Sequence, residues 1–125
     1  MDFKIRINKI FQAFDLPLPG KQAHTELAPY RNEIELDFKN KNPKIASTLL
    51  LIYPKDGETF FCLIERQEYE GTHSNQISFP GGKNESGESM KETALRETME
   101  EIGVDPISIN IIGELSQVFV PPSNF

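Results

Sequence analysis

The sequence of 125 residues predicts a single domain that contains both helices and strands, because helix-like and strand-like segments follow each other along it. Apolar residues recur at helical spacing within residues 3–14. Two segments, residues 46–53 and 59–65, are rich in the β-branched, aromatic and aliphatic residues that favour strands. A second helix, residues 90–102, is marked by a start signal and a stop signal.

Composition narrows the class of protein. The chain is 38% hydrophobic and 26% charged, which is typical of a soluble globular domain. The net charge of -6 argues against nucleic-acid binding, whereas an anionic small molecule remains possible if metal ions lie between the two negative surfaces. Cys62 is the only cysteine, which excludes an internal disulfide. No apolar run has the length of a membrane span or signal peptide, so we predict a cytoplasmic protein without a membrane partner.

The N-terminal segment predicts an amphipathic helix over residues 3–14, packed on the domain or on a second subunit of a homodimer. Its basic face is thin, which disfavours a helix lying on a membrane. Prolines and a glycine break the chain at residues 16–20, and residues 21–33 look polar and irregular, with at most a short helical turn. We therefore predict an N-terminal helical arm, residues 1–35, and a main domain, residues 36–125.

The two strand segments predict a β-hairpin with well-buried strands, since Asp56-Gly57 lies at the centre of the turn between them. Residues 67–88 look like loop, and residues 107–120 contain one or two further strand-like stretches. These strands would not close a sheet and cover both its faces. We therefore expect further chain to follow Phe125 in the complete domain.

The second helix has one acidic face. Ser89 and Glu92 form a capping box at its start, and Gly103 followed by Pro106 suits its end. Glutamates at i, i+3 and i+4 share one face, opposite a mainly apolar face. These residues are Glu97, Glu100 and Glu101, opposite Leu95, Thr98, Met99 and Ile102. A solvated acidic surface explains them, and so does a site for Mg²⁺ or Mn²⁺, which prefer carboxylate oxygens.

Two features beside this face have a structural and a functional interpretation. Arg96 can form an ordinary surface ion pair, reaching Glu92, Glu100 or Glu88, or it can hold a catalytic carboxylate in position. The loop Phe79-Pro80-Gly81-Gly82 can be a plain turn. Its backbone, free of side-chain bulk, can also approach a phosphate or offer a carbonyl to a metal ion.

Taken together, these residues resemble the Nudix box, G-x5-E-x7-R-E-U-x-E-E-x-G-U, where U is a bulky aliphatic residue. Every fixed polar and glycine position is present, and the last aliphatic position is Val104. The matching positions are Gly82, Glu88, Arg96, Glu97, Glu100, Glu101 and Gly103. Thr98 departs at the first aliphatic position; because we expect it on the core-facing side, the departure bears on packing more than on chemistry.

The resemblance implies a Nudix fold, a mixed β-sheet sandwiched between helices in an α/β/α arrangement. The implied ligands of Mg²⁺ or Mn²⁺ are Glu97, Glu100, Glu101 and the backbone carbonyl of Gly82. The implied catalytic residues are Glu97, Glu100 and Arg96, with Arg96 orienting Glu97. Glu88 would support the helix start or hold a further metal ion through water, and Gly103 would support the helix end.

The segment before the box resembles the upstream motif of the coenzyme A diphosphatase branch of the family, L-L-T-x-R-S-x3-R-x3-G-x3-F-P-G-G. Arg66 matches its first arginine, and residues 79–82 match its end. Gly71 stands at the second arginine position, and Asn75 at the glycine position, where asparagine tolerates positive φ well. Taken singly, these polar residues suit an ordinary loop. The resemblance implies substrate-binding roles for Arg66, His73, Gln76, Ser78 and Gly81.

This branch implies metal-dependent hydrolysis of CoA, a small nucleotide, to 4′-phosphopantetheine and adenosine 3′,5′-bisphosphate. Hydrolysis of ADP-ribose or NADH is the alternative among enzymes. A Nudix-fold module that binds a nucleotide without cleaving it is the alternative from another class. The three intact glutamates of the acidic face argue against such a module.

Overall fold

The computed structural model of the chain describes residues 2–30, 42–66, 76–119 and 125. Its contacts divide the chain into two compact units: Met1–Phe3 with Ile45–Asn110, and Lys4–Lys44 with Ile111–Phe125. The boundary predicted between residues 35 and 36 lies outside the described residues. The described strands and the acidic helix belong to the first unit, which therefore carries the candidate site.

Two helices precede the strands. Helix α1, Phe3–Ala13, confirms the amphipathic helix, and helix α2, Gly20–Leu27, replaces part of the segment predicted to be irregular. The sequence GKQAHTEL of α2 is rich in good helix formers, which the proline-rich break before it obscured. No residue of α1 is buried, and Ile5 and Phe11 are exposed. Self-association through the apolar face of α1 stays a prediction that analytical ultracentrifugation would test.

The described strands form three separate two-stranded sheets, each antiparallel, and the α/β class is confirmed. The strands are β1 Ala46–Thr48, β2 Ile52–Lys55, β3 Glu58–Phe61, β4 Ile64–Glu65, β5 Ile77–Ser78 and β6 Gly81–Lys83. Strand β1 pairs with β6, β2 with β3, and β4 with β5. Strands β5 and β6 lie in a segment predicted to be loop. Strand β5 has only two residues, and strand β6 has two glycines among its three, so neither shows strand periodicity.

The hairpin of β2 and β3 is confirmed at its turn. Asp56 and Gly57 have φ values of 50° and 78°, as a two-residue type I′ turn requires. The expectation of well-buried strands is wrong: Tyr53 and Phe60 stack at 5.9 Å between ring centroids, yet each is 38% exposed. The reason is that, among the described elements, no helix or second sheet packs extensively on either strand, so the faces of this sheet stay partly open to solvent.

Helix α3, Met90–Ile102, confirms the second predicted helix at both ends. The side chain of Ser89 accepts a hydrogen bond from the backbone N–H of Glu92, and the carboxylate of Glu92 accepts one from the backbone N–H of Ser89. Gly103 ends the helix in the left-handed conformation at φ 73°. A short 3₁₀ helix, Pro106–Ser108, follows, and residues 109–119 contain no strand, so the strand-like stretches predicted there are wrong for the described residues.

Helix α3 packs on the sheet of β1 and β6 through a face that differs in part from the predicted one. Its buried residues are Thr93, Ala94 and Thr98. Thr98 was expected to face the core, whereas Met99, also expected there, is 51% exposed. The hydroxyl of Thr98 donates to the carbonyl of Ala94 at 2.7 Å, so its polar group is satisfied within the helix. No helix in the described ranges is long and apolar enough to cross a bilayer.

The capping box gives a first testable expectation. Ser89→Ala should lower the free energy of unfolding by about 1 kcal/mol, because two backbone donors at the helix start lose their reciprocal arrangement. Urea denaturation measures the change. Ser86→Ala, in the exposed turn just before the helix, is the matched control and should stay close to wild type. Equal losses in the two variants would contradict the stabilising role of the cap.

Candidate active site

The register of β1 and β6 gives the two loop glycines different backbone environments. Ser47 lies opposite Gly82, and Thr48 lies opposite Gly81. The bonds from Leu49 N to Pro80 O, and from Asn84 N to Ile45 O, fix the alternation of the ladder. Gly82 therefore falls in a hydrogen-bonded pair, and its carbonyl points toward β1. Gly81 falls in a non-hydrogen-bonded pair, so its N–H and carbonyl point away from β1.

The N–H of Gly81 meets helix α3. It donates to Oε2 of Glu101 at 3.4 Å. A side chain at position 81 would overlap the carbonyl oxygen of Ser47, and one at position 82 would place its Cβ 2.5 Å from Cδ of Glu97. Glycine at both positions thus lets the strand lie against β1 on one side and against two carboxylates of the helix on the other.

Arg96 lies at the centre of a network of ion pairs with three glutamates, Glu88, Glu97 and Glu100. Its Nε donates to Oε2 of Glu88 at 2.6 Å and its Nη2 to Oε1 of the same carboxylate at 2.9 Å, which is a bidentate pair. Nη1 donates to Oε1 of Glu97 at 2.9 Å and to Glu100 at 3.3 Å. Nη2 also donates to the carbonyl of Lys83 at 3.0 Å. The contacts with Glu88 and Glu100 that the sequence predicted for Arg96 are confirmed.

This network shifts the proton affinity of its members. Hydrogen bonding from Arg96 is the main cause that lowers the pKa of Glu88 from 4.5 to about 2. The N–H of Glu85 and the hydroxyl of Thr93 lower it further, against the opposing effect of burial. The pKa of Arg96 is raised, chiefly by Glu88. The Glu88 side chain is only 17% exposed, so a partly desolvated carboxylate is held in its charged form.

Glu101 responds to its surroundings in the opposite direction. Burial raises the pKa of its carboxyl above the ordinary value, and the negative charges of Glu97 and Glu100 act in the same sense. The N–H of Gly81 and the positive charge of Arg66 oppose that rise. Arg66 therefore lies near enough to Glu101 for their charges to interact, although the two residues are far apart in the sequence.

The low pKa of Glu88 makes part of the stability of the fold depend on pH in the acid range. Because the folded pKa is about 2 against 4.5 for the free carboxyl, the unfolded chain binds the proton more readily. The stability contributed by ionised Glu88 is therefore present above pH 4.5 and is lost as the pH falls toward 2. Glu88→Gln should flatten the fall in the urea midpoint across this window. Glu58→Gln, on the exposed hairpin, controls for the lost charge; a slope unchanged from wild type in Glu88→Gln would contradict the assignment.

Three of the predicted substrate-binding residues, Arg66, Gln76 and Ser78, lie in or next to the sheet of β4 and β5. The backbone N–H of Arg66 donates to the carbonyl of Gln76 at 2.9 Å, which extends the ladder of β4 and β5. Ser78 lies opposite Ile64 in the same ladder, and its buried Oγ has no hydrogen-bond partner among the described residues. His73 lies outside the described residues. The roles of these residues in binding stay predictions.

Two residues of the site were missed by sequence reasoning. Thr93 is fully buried, and its hydroxyl lies 3.2 Å from Oε1 of Glu88 and 2.8 Å from Nδ2 of Asn84. Thr93 precedes Arg96 by three positions, hence by almost one helical turn. That spacing is the signal that could have placed its hydroxyl on the side of Glu88.

The donor set fits a divalent metal ion in its chemistry. Carboxylates and a backbone carbonyl such as that of Gly81, which points away from β1, are the hard oxygen ligands that Mg²⁺ and Mn²⁺ prefer. The space where Gly82 lacks a Cβ adjoins the Glu97 carboxylate. Among the described residues, no group of three acidic, histidine or cysteine side chains is arranged to hold a metal ion. Glu97 and Glu100 are directed toward Arg96 instead. A shallow depression of about 700 Å³ adjoins Arg96, Glu100 and Pro106.

The comparison with known proteins agrees with the resemblance to the Nudix box. The family described as "NUDIX domain" matches residues 43–125. "Nudix hydrolase 3" of Caenorhabditis elegans is 39% identical over 79 residues, which are 63% of this chain and 33% of that protein. "Nudix hydrolase 15, mitochondrial" of Arabidopsis thaliana is 37% identical over 75 residues, 58% of this chain and 26% of that protein.

A third relative has a named activity. "8-oxo-dGTP diphosphatase" of Escherichia coli is 30% identical over 76 residues, which are 61% of this chain and 57% of that protein. The chain thus spans 26% to 57% of the length of these three relatives. Because the family match covers well over half of the chain and includes the helix with its glycine loop, the chain belongs to the Nudix family.

Proposed function

We propose that this protein hydrolyses a nucleoside diphosphate linkage with Mg²⁺ or Mn²⁺, and that its substrate is CoA. The observation that carries the proposal is the Arg96 network. One guanidinium holds Glu88, Glu97 and Glu100, while Glu101 contacts the glycine loop. A solvated acidic surface does not need a part-buried arginine with a bidentate partner, since exposed ion pairs add little stability.

The residues divide into holding and reacting roles. Glu97, Glu100 and Glu101 would hold the metal ions, and the outward-facing carbonyl of Gly81 suits the backbone ligand better than that of Gly82, which points into the ladder. Bound metal ions would neutralise the diphosphate and lower the pKa of the attacking water. Arg96 keeps the Glu97 carboxylate in one orientation, and Glu88 keeps Arg96 in place.

The CoA assignment is supported by the residues before the box. Arg66 matches the first arginine of the coenzyme A diphosphatase motif, and its charge acts on Glu101. A guanidinium near the acidic face is suited to a phosphate group of the substrate. Gln76 joins Arg66 through the backbone, so both can face the same ligand. Cytoplasmic location stays a prediction alongside this one.

The experiment is a hydrolysis panel with each metal ion and with products identified by mass. CoA, ADP-ribose, NADH and 8-oxo-dGTP are the substrates, and Glu100→Gln is the control for the metal site. We expect release of adenosine 3′,5′-bisphosphate from CoA by wild type and its loss in Glu100→Gln. Cleavage of another substrate in place of CoA would overturn the CoA assignment. Metal binding without any cleavage would favour a nucleotide-binding module.

A further inference from the structure

A buried polar cluster, formed by Thr93 and Asn84, lies next to the ion pair of Arg96 and Glu88. Thr93 is completely buried, and its hydroxyl oxygen lies within hydrogen-bond distance of three groups. They are Nδ2 of Asn84 at 2.8 Å, the carbonyl of Ser89 at 3.1 Å and Oε1 of Glu88 at 3.2 Å. Asn84 also donates to the backbone carbonyl of Glu88 at 3.1 Å. The cluster therefore joins the end of β6 to the start of α3.

The donors and acceptors in this cluster determine which group receives the hydroxyl proton of Thr93. The amide nitrogen of Asn84 is a donor, so the Thr93 oxygen accepts from it and has one proton of its own to give. Both candidate acceptors already have other donors: the Ser89 carbonyl accepts from the backbone N–H of Thr93 at 3.0 Å, and Oε1 of Glu88 accepts from Arg96 and from the N–H of Glu85, each at 2.9 Å. Glu88 is ionised and is the stronger acceptor of the two. The hydroxyl proton of Thr93 is thus directed mainly to the Glu88 carboxylate.

The orientation of that carboxylate determines where Arg96 points. A bidentate pair is planar, so the two oxygens of Glu88 fix the plane of the guanidinium. Nη1, the remaining nitrogen, is then directed at Glu97. Glu88 is itself held by the Thr93 hydroxyl and by the backbone N–H of Glu85 at 2.9 Å. A rotation of the Glu88 carboxylate would therefore turn Nη1 away from Glu97.

We propose that Thr93, with Asn84 as its donor, is a positioning residue that sets the orientation of Arg96 through Glu88, and thereby that of the Glu97 carboxylate. Its kinetic consequence rests on the proposed hydrolysis. Thr98 provides a matched control for Thr93. It is a threonine on the same helix with the same complete burial, yet within the described part of the chain its hydroxyl bonds only to the Ala94 carbonyl, one turn back. A purely structural role would make the two threonines alike.

The kinetic test compares Thr93→Val, Thr93→Ser and Thr98→Val on CoA. We expect Thr93→Val to lower kcat roughly tenfold with little change in KM, the size typical of a group that orients a ligand. Thr93→Ser, which keeps the hydroxyl, should recover most of the rate, and Thr98→Val should match wild type. Equal losses in Thr93→Val and Thr98→Val, or no recovery with serine, would overturn the proposal. If Thr93→Val does not fold, Thr93→Ala takes its place.

A second measurement tests the positioning role of Thr93 even if no substrate is hydrolysed. The Nε–H of Arg96, held on Glu88, should give a distinct and slowly exchanging ¹H–¹⁵N signal, assigned by its loss in Arg96→Lys. In Thr93→Val this signal should shift and exchange faster, while Thr98→Val keeps it. An unchanged signal in Thr93→Val would overturn the positioning role. Absence of hydrolysis in wild type, with the signal behaving as expected, would overturn the proposed function alone.

Discussion

Gly82→Ala should lower metal-dependent hydrolysis about a hundredfold and leave the urea midpoint close to that of wild type. The new Cβ would lie 2.5 Å from Cδ of Glu97 and 2.7 and 2.8 Å from its two oxygens. These atoms are the far end of a flexible side chain, so the contact is relieved by moving the carboxylate and not the strand. A displacement of about 1 Å at a reacting group can cost about 10²-fold in rate.

Gly81→Ala is the comparison that separates the two glycines. Its Cβ would overlap the backbone carbonyl of Ser47 and lie 2.6 Å from Cα of Thr48, and backbone atoms cannot rotate away. We expect a loss of about 1–3 kcal/mol in the free energy of unfolding. Lys83→Ala, at the exposed end of the same strand, should resemble wild type in both assays. Equal destabilisation by the two glycine variants would show that Gly82 serves the packing of the strand instead.

Arg96→Lys should be nearly as inactive as Arg96→Ala, with hydrolysis lowered about a hundredfold in both. The guanidinium reaches Glu88, Glu97 and the Lys83 carbonyl at once through its planar fork, and a lysine ammonium cannot reproduce that geometry. Both variants should also unfold at lower urea, since the Glu88 and Glu97 side chains, 17% and 19% exposed, lose their bidentate or close cation.

Steady-state kinetics and urea denaturation of the same preparations measure both effects of Arg96. Lys91→Ala removes a positive charge from an exposed position of the same helix and serves as the control. It should leave both quantities near their wild-type values. Activity within about threefold of wild type in Arg96→Lys would mean that charge alone suffices. The fork geometry would then have no part in orienting Glu97.

Features specified by neighbouring residues were predictable from the sequence. The boundaries of α3 follow from Ser89, Glu92 and Gly103, which act within one turn of the helix ends. The type I′ turn follows from Asp56-Gly57, because few residue pairs adopt two positive φ values. The pairing of Arg96 with Glu100 follows from their i, i+4 spacing, whereas spacing alone does not predict its pairing with Glu97 at i+1.

Features that depend on contacts between distant segments were not predictable in the same way. The strands were expected to be buried because they are apolar, yet burial depends on which segments cover them, and periodicity does not contain that information. Thr93 and Asn84 were missed because their importance arises from a meeting of β6 with α3. The different directions of the Gly81 and Gly82 carbonyls follow from the register with β1, which a glycine pair alone does not specify.

The contact between Gly82 and Glu97 also limits how this sequence can change over evolutionary time. A side chain gained at position 82 is compatible only with a carboxylate that has moved away, so the first substitution removes the group that selection would keep. Shortening Glu97 first would free the space but would withdraw the carboxylate from Arg96. Either order passes through a weakened intermediate, so natural variants are expected to change these two positions together or to leave both alone.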